Sequence, residues 1–288
     1  MESKKDKKEK EEQEEIEKEA NKSDSKDDNS AKTHGEIMRE QIIEGCETYD
    51  RGTRSILLSS FTAGLEIGFS FLMICSLFGF FQDSLADETI FKLIAFVYPI
   101  GFILVILGQS ILFTEQTSLL TLPVLNGLRS VLSLFKIWGV VIFGNLTGGI
   151  LIALTLSWIG PNLGLFDAEV IGKIGEHFAD YDLPTILVSA MLAGWLMGLL
   201  SWLVTSSKET TSEILIIYII TAVMGFTGLH HSIIGNIEIF AGMLVSPEID
   251  FYVYLKTLIT ALVGNALGAT IFVALLKYRA FIFDVKMP

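Results

Sequence analysis

The chain has 288 residues, of which 51% are hydrophobic and 20 are phenylalanine, and its mean hydropathy is +0.53. These values exclude an ordinary soluble domain and indicate a polytopic membrane protein, for which the lipid bilayer is a partner. The formal net charge of −12 gives no support to nucleic-acid binding.

The N-terminal region is predicted to be a charged cytosolic tail. Residues 1–34 contain twelve Asp and Glu and nine Lys and Arg residues with few apolar side chains, so they cannot bury enough surface to offset the entropy of ordering. We therefore divide the chain into a largely disordered tail at 1–52 with a short amphipathic helix near Gly35–Thr53, a six-span domain at 53–280, and a short cytosolic tail at 281–288.

Six apolar segments are long enough to cross a bilayer as helices. Each holds about 20 or more residues with few charges, enough for a hydrocarbon core of roughly 30 Å. The predicted spans are Ile56–Phe81, Leu93–Leu128, Ile137–Ile159, Leu183–Val204, Ile214–Val245 and Thr257–Leu276. Lys and Arg concentrate in alternate connections and after the last span, so the positive-inside rule predicts both termini in the cytosol. A multi-pass protein of the plasma membrane, of the bacterial inner-membrane type, is the expected location.

The sequence repeats itself in two pairs of spans. At an offset of 120 residues, Lys136, Gly144-Asn145 and Gly148 of span three match the same residue types in span six. At an offset of 130, Ser59, Ala63, Gly64 and Gly68 of span one match Ser189, Ala193, Gly194 and Gly198 of span four. Three spans per repeat is an odd number, so the two halves are predicted to be inverted. Small residues that merely allow close helix packing are the alternative explanation.

Spans two and five are too long for straight helices. With 36 and 32 residues they would reach about 50 Å, well beyond the apolar core. Each is therefore predicted to be broken, span two at Phe113–Thr117 and span five at Gly225–Ser232. Paired breaks at corresponding positions of two halves are typical of substrate pathways in transporters.

The order of these motifs resembles the formate/nitrite transporter family, as a divergent branch. The resemblance lies in "LFT" in a broken second span, "GN" in the third and sixth spans, and "GLHHSI" in a broken fifth span. It implies an aquaporin-like, all-α protomer of six transmembrane helices, assembled as a homopentamer. It also implies a channel or secondary transporter, not an enzyme, which passes small monovalent anions or their weak acids together with protons and needs no cofactor or metal.

The same resemblance assigns the pore residues. It implies a central site of Thr114 and His231. It implies apolar constrictions formed by the following side chains: Leu112, Phe113 and Phe102 on the cytosolic side, and Tyr98 and Met224 on the outer side. Histidine can supply a proton near neutral pH, so a weak acid could cross the apolar constriction as the neutral species.

Three departures from the family pattern concern polar positions. Gly194 stands where an asparagine is usual, and no lysine occupies the usual place before span four, where Lys173 is only nearby. One extra residue follows the histidine motif, in Ser232–Asn236. Glu115 stands where the family has a small or neutral residue. These differences leave the substrate open.

The carboxylate of Glu115 allows two interpretations. It could face away from the pore as a structural clamp that accepts backbone amides or pairs with a neighbouring protomer. It could instead titrate protons in the pathway, or exclude anions in favour of neutral or cationic solutes. Glu66, Glu238 and His230 raise the same question of a proton-linked or a structural role, with Glu238 two helical turns after His231.

Two other functions are considered. A channel for neutral small solutes would share the scaffold, but the chain lacks the paired Asn-Pro-Ala motifs of aquaporins. An intramembrane enzyme or metal carrier would need a ligand pattern such as H-E-x-x-H, and the sequence contains none.

Overall fold

The computed structural model describes residues 31–280. The predictions made for most of the charged N-terminal tail and for the C-terminal tail at 281–288 lie outside the described residues.

The described residues are almost entirely helical. In chain order the α-helices are α1 His34–Asp50, α2 Thr53–Phe81, α3 Asp87–Leu93, α4 Pro99–Leu107, α5 Phe113–Leu125, α6 Val131–Leu163, α7 Ala168–Ala179, α8 Leu183–Ser206, α9 Thr210–Thr227, α10 Ser232–Val245 and α11 Phe251–Ala269. A 3₁₀ turn, Ile94–Phe96, links α3 to α4, and a π-helical segment, Thr270–Lys277, follows α11.

Six helical segments are long and apolar enough to cross a membrane. They are Thr53–Phe81, Asp87–Leu107, Val131–Leu163, Leu183–Ser206, Thr210–Thr227 and Phe251–Ala280. The number agrees with the six predicted spans. The third is longer than predicted, 33 residues, because Ser130 caps its start by accepting the Ser133 N–H and Gly164 ends it in a left-handed conformation. Helix α7 lies in a connection for which no helix was predicted.

The second span is interrupted earlier in the chain than the sequence predicts. Its first helix stops at Leu107 and the next begins at Phe113, so the interruption is 108–112, whereas Phe113–Thr117 is the first turn of α5. The predicted position was wrong because polar residues were interpreted as helix-breaking. The Thr117 hydroxyl instead donates to the Phe113 carbonyl at 2.6 Å, which satisfies it within the helix. The fifth span is interrupted at 228–231, inside the predicted range.

The two interruptions have the same backbone form. Gln109 and Gly228 each adopt the left-handed conformation, with φ of 55° and 67°. In each case the next residue donates its N–H five residues back, Ser110 to Val105 at 3.0 Å and Leu229 to Met224 at 3.2 Å. Corresponding positions in the two interruptions are 119 residues apart, close to the offsets of the sequence repeat.

Two asparagines brace the interruptions in the same way. Asn145 of α6 and Asn265 of α11 each accept the first backbone N–H of the helix that follows, at 2.8 and 2.7 Å. Each side-chain amide also donates to two carbonyls at 2.7 to 2.9 Å. These carbonyls belong to Ser60 and Ile111 in the first half and to Ala190 and His230 in the second. The matching bonds support the predicted internal repeat, and the inverted orientation of the halves stays a prediction.

Glycines allow the helices of each half to touch. A Cβ at Gly64 of α2 would strike the Asn145 carbonyl oxygen, and a Cβ at Gly194 of α8 would strike the Asn265 carbonyl oxygen. Gly194, where the family usually has asparagine, therefore has no room for a side chain. The repeat is more than a generic packing face, because the same contacts recur with the same bracing asparagines.

The repeat extends to the short helices that precede each half. Gly45 of α1 lies against the Leu119 carbonyl of α5, and Gly175 of α7 lies against the Glu238 carbonyl of α10. These pairs again differ by 130 and 119 residues. Each half thus consists of one short helix packed on the second segment of a broken span, together with two unbroken spans.

Helix α1 is held to the membrane domain by specific bonds. The buried Gln41 donates to Ser201 of α8 at 3.2 Å, and the Tyr49 hydroxyl donates to the Leu120 carbonyl of α5 at 2.9 Å. At its C-terminal end Asp50 forms a salt bridge with Arg129 at 2.7 Å. A capping box of Thr33 and Glu36 fixes its start.

Candidate functional site

A histidine and a threonine meet at the centre of the molecule. His231 is the N-cap residue of α10 and Thr114 is the second residue of α5, so the two interruptions bring them together. Thr114 Oγ1 lies 2.6 Å from His231 Nε2, and both side chains are fully buried. His231 Nδ1 has no hydrogen-bond partner among the described residues, and neither does the adjacent Ser232 hydroxyl. The site therefore has unused hydrogen-bonding capacity.

Aromatic and aliphatic side chains enclose this pair. The Phe102 ring centroid lies 5.0 Å from that of His231, and the Tyr98 ring lies 5.3 Å from that of Phe102. The remaining predicted constriction residues are also buried, and they are Leu112, Phe113 and Met224. A charged solute at this depth would lose its water, which is costly without a replacement hydrogen bond.

One cavity, the α1-side cavity, opens beside α1 and has a volume of about 760 Å³. Its charged lining comprises Lys32, Arg51, Glu40, Glu44, Glu47, Glu115 and Glu213. Carboxylates thus outnumber cationic side chains. Burial, followed by the neighbouring Glu47 and Glu40 charges, raises the pKa of Glu44 above its ordinary value.

Glu115 belongs to this α1-side cavity. Its carboxylate accepts a hydrogen bond from Gln116 Nε2 at 2.9 Å, and among the described residues no backbone amide of the interruption donates to it. Glu115 is therefore not held by the backbone amides of the interruption, and both a pairing with a neighbouring protomer and a role in the pathway stay predictions.

A second cavity of about 450 Å³, the α7-side cavity, lies beside α7. Its lining includes Tyr98, Met224, His230 and Glu238, so both predicted outer-constriction residues border it. Its remaining charged side chains are Asp87, Glu88 and Lys92. The Thr114–His231 pair lies among the buried residues and lines neither cavity.

The other polar candidates have different surroundings. His230 Nε2 donates to the Phe178 carbonyl at 3.0 Å, and its Nδ1 lies 2.8 Å from the Ser189 hydroxyl, which supports a structural role. Glu66 does not belong to the central site. It lies beside Gly108, borders neither cavity, and its Oε2 has no partner among the described residues.

His177 was not singled out from the sequence. Its ring stacks on Phe91 with centroids 3.7 Å apart and borders the α7-side cavity. Burial, and then the nearby Lys92 charge, lower the pKa of His177. Helix α7, which brings it there, was not predicted, although Asp167 followed by Val170, Ile171 and Ile174 at helical spacing is a sequence signal for this helix.

No metal centre is evident in the described part of the chain. Within residues 31–280 no three His, Cys, Asp or Glu side chains lie close enough together to hold an ion. What the site offers is hydrogen bonding in an apolar enclosure.

Comparison with known proteins places these features in a family. The family profile described as "Formate/nitrite transporter" matches residues 35–279. Inner membrane protein YfdC of Escherichia coli (strain K12) is 28% identical over 84% of this chain and 77% of its own length. Nitrite transporter NirC of Salmonella typhimurium (strain LT2) is 27% identical over 76% of this chain and 80% of its own length.

Solved structures share the fold. An FNT family ion channel superimposes with a TM-score of 0.76 and 23% identity, covering 85% of this chain and 98% of its own. A pentameric formate channel with formate bound gives a TM-score of 0.67 and 21% identity, covering 80% of this chain and 98% of its own.

Proposed function

This chain belongs to the formate/nitrite transporter family, and on that premise we propose that it passes small monovalent anions of the formate and nitrite class, or their weak acids, in a proton-linked manner through the Thr114–His231 site. The observation that carries the proposal is the buried 2.6 Å contact between these side chains. The Phe102 ring packs against His231 and against Tyr98, which borders the α7-side cavity.

The chemistry of the pair suits a weak acid. An anion that reaches the centre has lost most of its hydration, so it needs a donor or a proton. The imidazole can provide either, and the Thr114 hydroxyl stabilises one ring nitrogen while the other stays open to a ligand. After protonation, the neutral acid crosses Leu112 and Phe113 without the cost of a buried charge.

We further propose a homopentamer in the plasma membrane with both termini in the cytosol. The pentameric channel of similar fold and the loop charges support this arrangement. Large apolar side chains remain exposed on the protomer, among them Phe80, Trp158 and Leu132, and lipid or neighbouring protomers would cover them.

The test is flux into proteoliposomes of the purified full chain, with formate, nitrite and glycerol as substrates at several pH values. We expect formate and nitrite flux to rise as pH falls. His231→Ala should lower it by about 5- to 150-fold, because an unmade buried hydrogen bond costs about 1–3 kcal/mol. Thr114→Val should reduce flux in the same direction.

His34→Ala, on the exposed start of α1, is the matched histidine control. Size-exclusion profiles of all variants report on folding and assembly. Normal flux and normal pH dependence in His231→Ala would refute the role of the site. Glycerol flux that is indifferent to His231, without anion flux, would mean a channel for neutral solutes.

A further inference from the structure

Glu238 is a buried carboxylate on the wall of the α7-side cavity. It lies in α10, two turns after His231, and is only 7% exposed. Its side chain borders the cavity together with Tyr98 and Met224. Among residues 31–280, no hydrogen-bond donor or cationic side chain contacts its carboxylate, although buried carboxylates are normally paired.

Its surroundings contain few groups that could compensate it. Tyr98, just before α4, and His230 border the same cavity, and the Cys75 thiol of α2 lies within electrostatic range of the Glu238 carboxyl group. The ring nitrogens of His230 are bound to Ser189 and Phe178. On α7, Glu176 is bound to Ser246 and His177 is stacked on Phe91.

The charge around the cavity does not favour anions. Lys92 is its one cationic lysine or arginine within the described residues, and Lys92 already donates to the Phe226 carbonyl at 3.0 Å. Asp87 and Glu88 also border the cavity, and Asp87 forms a salt bridge with Lys173 at 3.6 Å, so three carboxyl groups lie near two lysines. A free anion that enters meets repulsion, whereas a solute with an O–H donor finds an unpaired acceptor at Glu238.

The internal repeat shows that the helix contact between α10 and α7 does not require a carboxyl group at position 238. The position 119 residues earlier is Leu119, whose backbone packs on Gly45 as the Glu238 backbone packs on Gly175. The same helix contact therefore forms with an apolar side chain in one half and a carboxyl group in the other. Packing between these helices does not account for the acid.

We propose that Glu238 is a selectivity-determining residue, which admits the neutral, protonated form of a small weak acid on the α7 side and opposes the free anion. The acid's O–H donates to the Glu238 carboxylate before the solute passes Tyr98 and Met224. This inference rests on the proposed function and specifies which form of the substrate enters.

The test compares two substrates in proteoliposomes of the full chain at an acid and at an alkaline pH, and the effect of the Glu238 charge is measured at the alkaline pH, where the carboxyl group is ionised. Formate has an accessible neutral acid, whereas nitrate, the anion of a strong acid, does not. In Glu238→Gln, which keeps the size of the side chain and removes its charge, we expect the ratio of nitrate to formate flux to rise about tenfold, because a charge at this range in protein contributes on that scale.

Two further variants separate position from charge. Glu238→Asp keeps a carboxylate and should retain most of the discrimination against nitrate. Glu248→Gln removes an exposed carboxylate from the connection after α10 and should leave the ratio unchanged. If Glu238→Gln assembles poorly, Glu238→Asp still tests the proposal. A ratio of nitrate to formate flux in Glu238→Asp well above that of the unmodified protein would overturn it.

The outcomes also separate this inference from the proposed function. If the unmodified protein passes neither formate nor nitrite, the proposed function fails and the inference fails with it. If the unmodified protein passes formate through His231 but the nitrate ratio is the same in Glu238→Gln, only the role of Glu238 is wrong.

Discussion

The first interruption, at 108–112, and the second, at 228–231, are held by the same set of hydrogen bonds. Asn145 and Asn265 each tie an interruption to the following helix and to a neighbouring span, with closely similar lengths. A serine in each half also accepts a backbone N–H from the interruption, at 3.2 Å for Ser59 and 3.1 Å for Ser189.

The polar side chains of the candidate site lie at positions where the two halves carry different residues. Residues 119 apart occupy equivalent places, so His231 corresponds to Leu112, Thr114 to Ile233 and Glu238 to Leu119. The central hydrogen bond therefore joins two positions that are not equivalent. The repeated hydrogen bonds fix the backbone in the same way in both halves. Residues that differ between the halves supply the polar groups.

The largest expected effect comes from removing a brace. Asn145→Ala or Asn265→Ala leaves one backbone donor and two carbonyls without the side chain that pairs them. We expect either change to lower the free energy of unfolding by at least about 3 kcal/mol, measured by thermal unfolding in detergent. Similar losses of unfolding free energy in both variants would show that the two braces stabilise their halves equally.

The control for this experiment is Asn162→Ala. Asn162 lies at the exposed end of α6 and donates only to the Trp158 carbonyl, at 2.6 Å. Its loss should cost less than about 1 kcal/mol. If Asn265→Ala were as mild as this control, the two braces would not be energetically equivalent.

A smaller effect is expected at the left-handed residues, where the halves differ. Gln109→Gly should stabilise the fold by about 0.5–1 kcal/mol, because glycine adopts positive φ without steric cost. Gly228→Ala should destabilise it by about 1 kcal/mol for the same reason.

Gly139→Ala is the control for these two variants, since a Cβ at Gly139 meets nothing within 4 Å in the interior of α6. Its effect on thermal unfolding should be neutral or slightly favourable. Effects of the same sign at Gln109 and Gly228 would contradict a shared backbone form.

The smallest effect concerns the short helices α1 and α7. Glu44 of α1 corresponds, at the offset of 130, to the buried Ile174 of α7. The pKa of Glu44 is raised from 4.5 in the docked state, so that state binds more protons than the undocked one above this pH. Docking of α1 should therefore weaken as pH rises from about 4.5 towards the raised value.

Hydrogen exchange of the α1 amides across a pH series measures this, after correction for intrinsic exchange. Glu44→Gln should remove the pH dependence and protect α1 more strongly at neutral pH, with no difference from the unmodified chain at acid pH. Glu248→Gln, on the exposed connection after α10, should behave like the unmodified chain. Equal pH dependence in Glu44→Gln would assign the effect to another group.

Sequence patterns predicted the six spans because hydropathy and length are set by the bilayer. They also pointed to the repeat, since glycines and asparagines at helix contacts tolerate few substitutions. The position of the first interruption was wrong, because Gln109 carries no propensity signal for positive φ and Thr114 can be accommodated in a helix. Helix α7 was missed because the segment between the third and fourth spans was interpreted as an acidic loop, and with it the setting of His177 and Glu238 was missed.

The pairing of Thr114 with His231 was expected only by resemblance to a family. Nothing in the spacing of two residues 117 positions apart in the chain predicts their contact. The acids were visible in the sequence, but which cavity each one borders depends on the rotation of α5 and α10 about their axes, and hydropathy does not determine this rotation.

The bracing asparagines also bear on the order in which the chain matures during synthesis. Asn145 bonds to Ser60 and Ile111, all within the first half, and Asn265 bonds to Ala190 and His230 in the second. Each half can therefore complete its own scaffold soon after its third span leaves the ribosome. The Thr114–His231 contact joins the two halves, so it forms only after the fifth span has been synthesised.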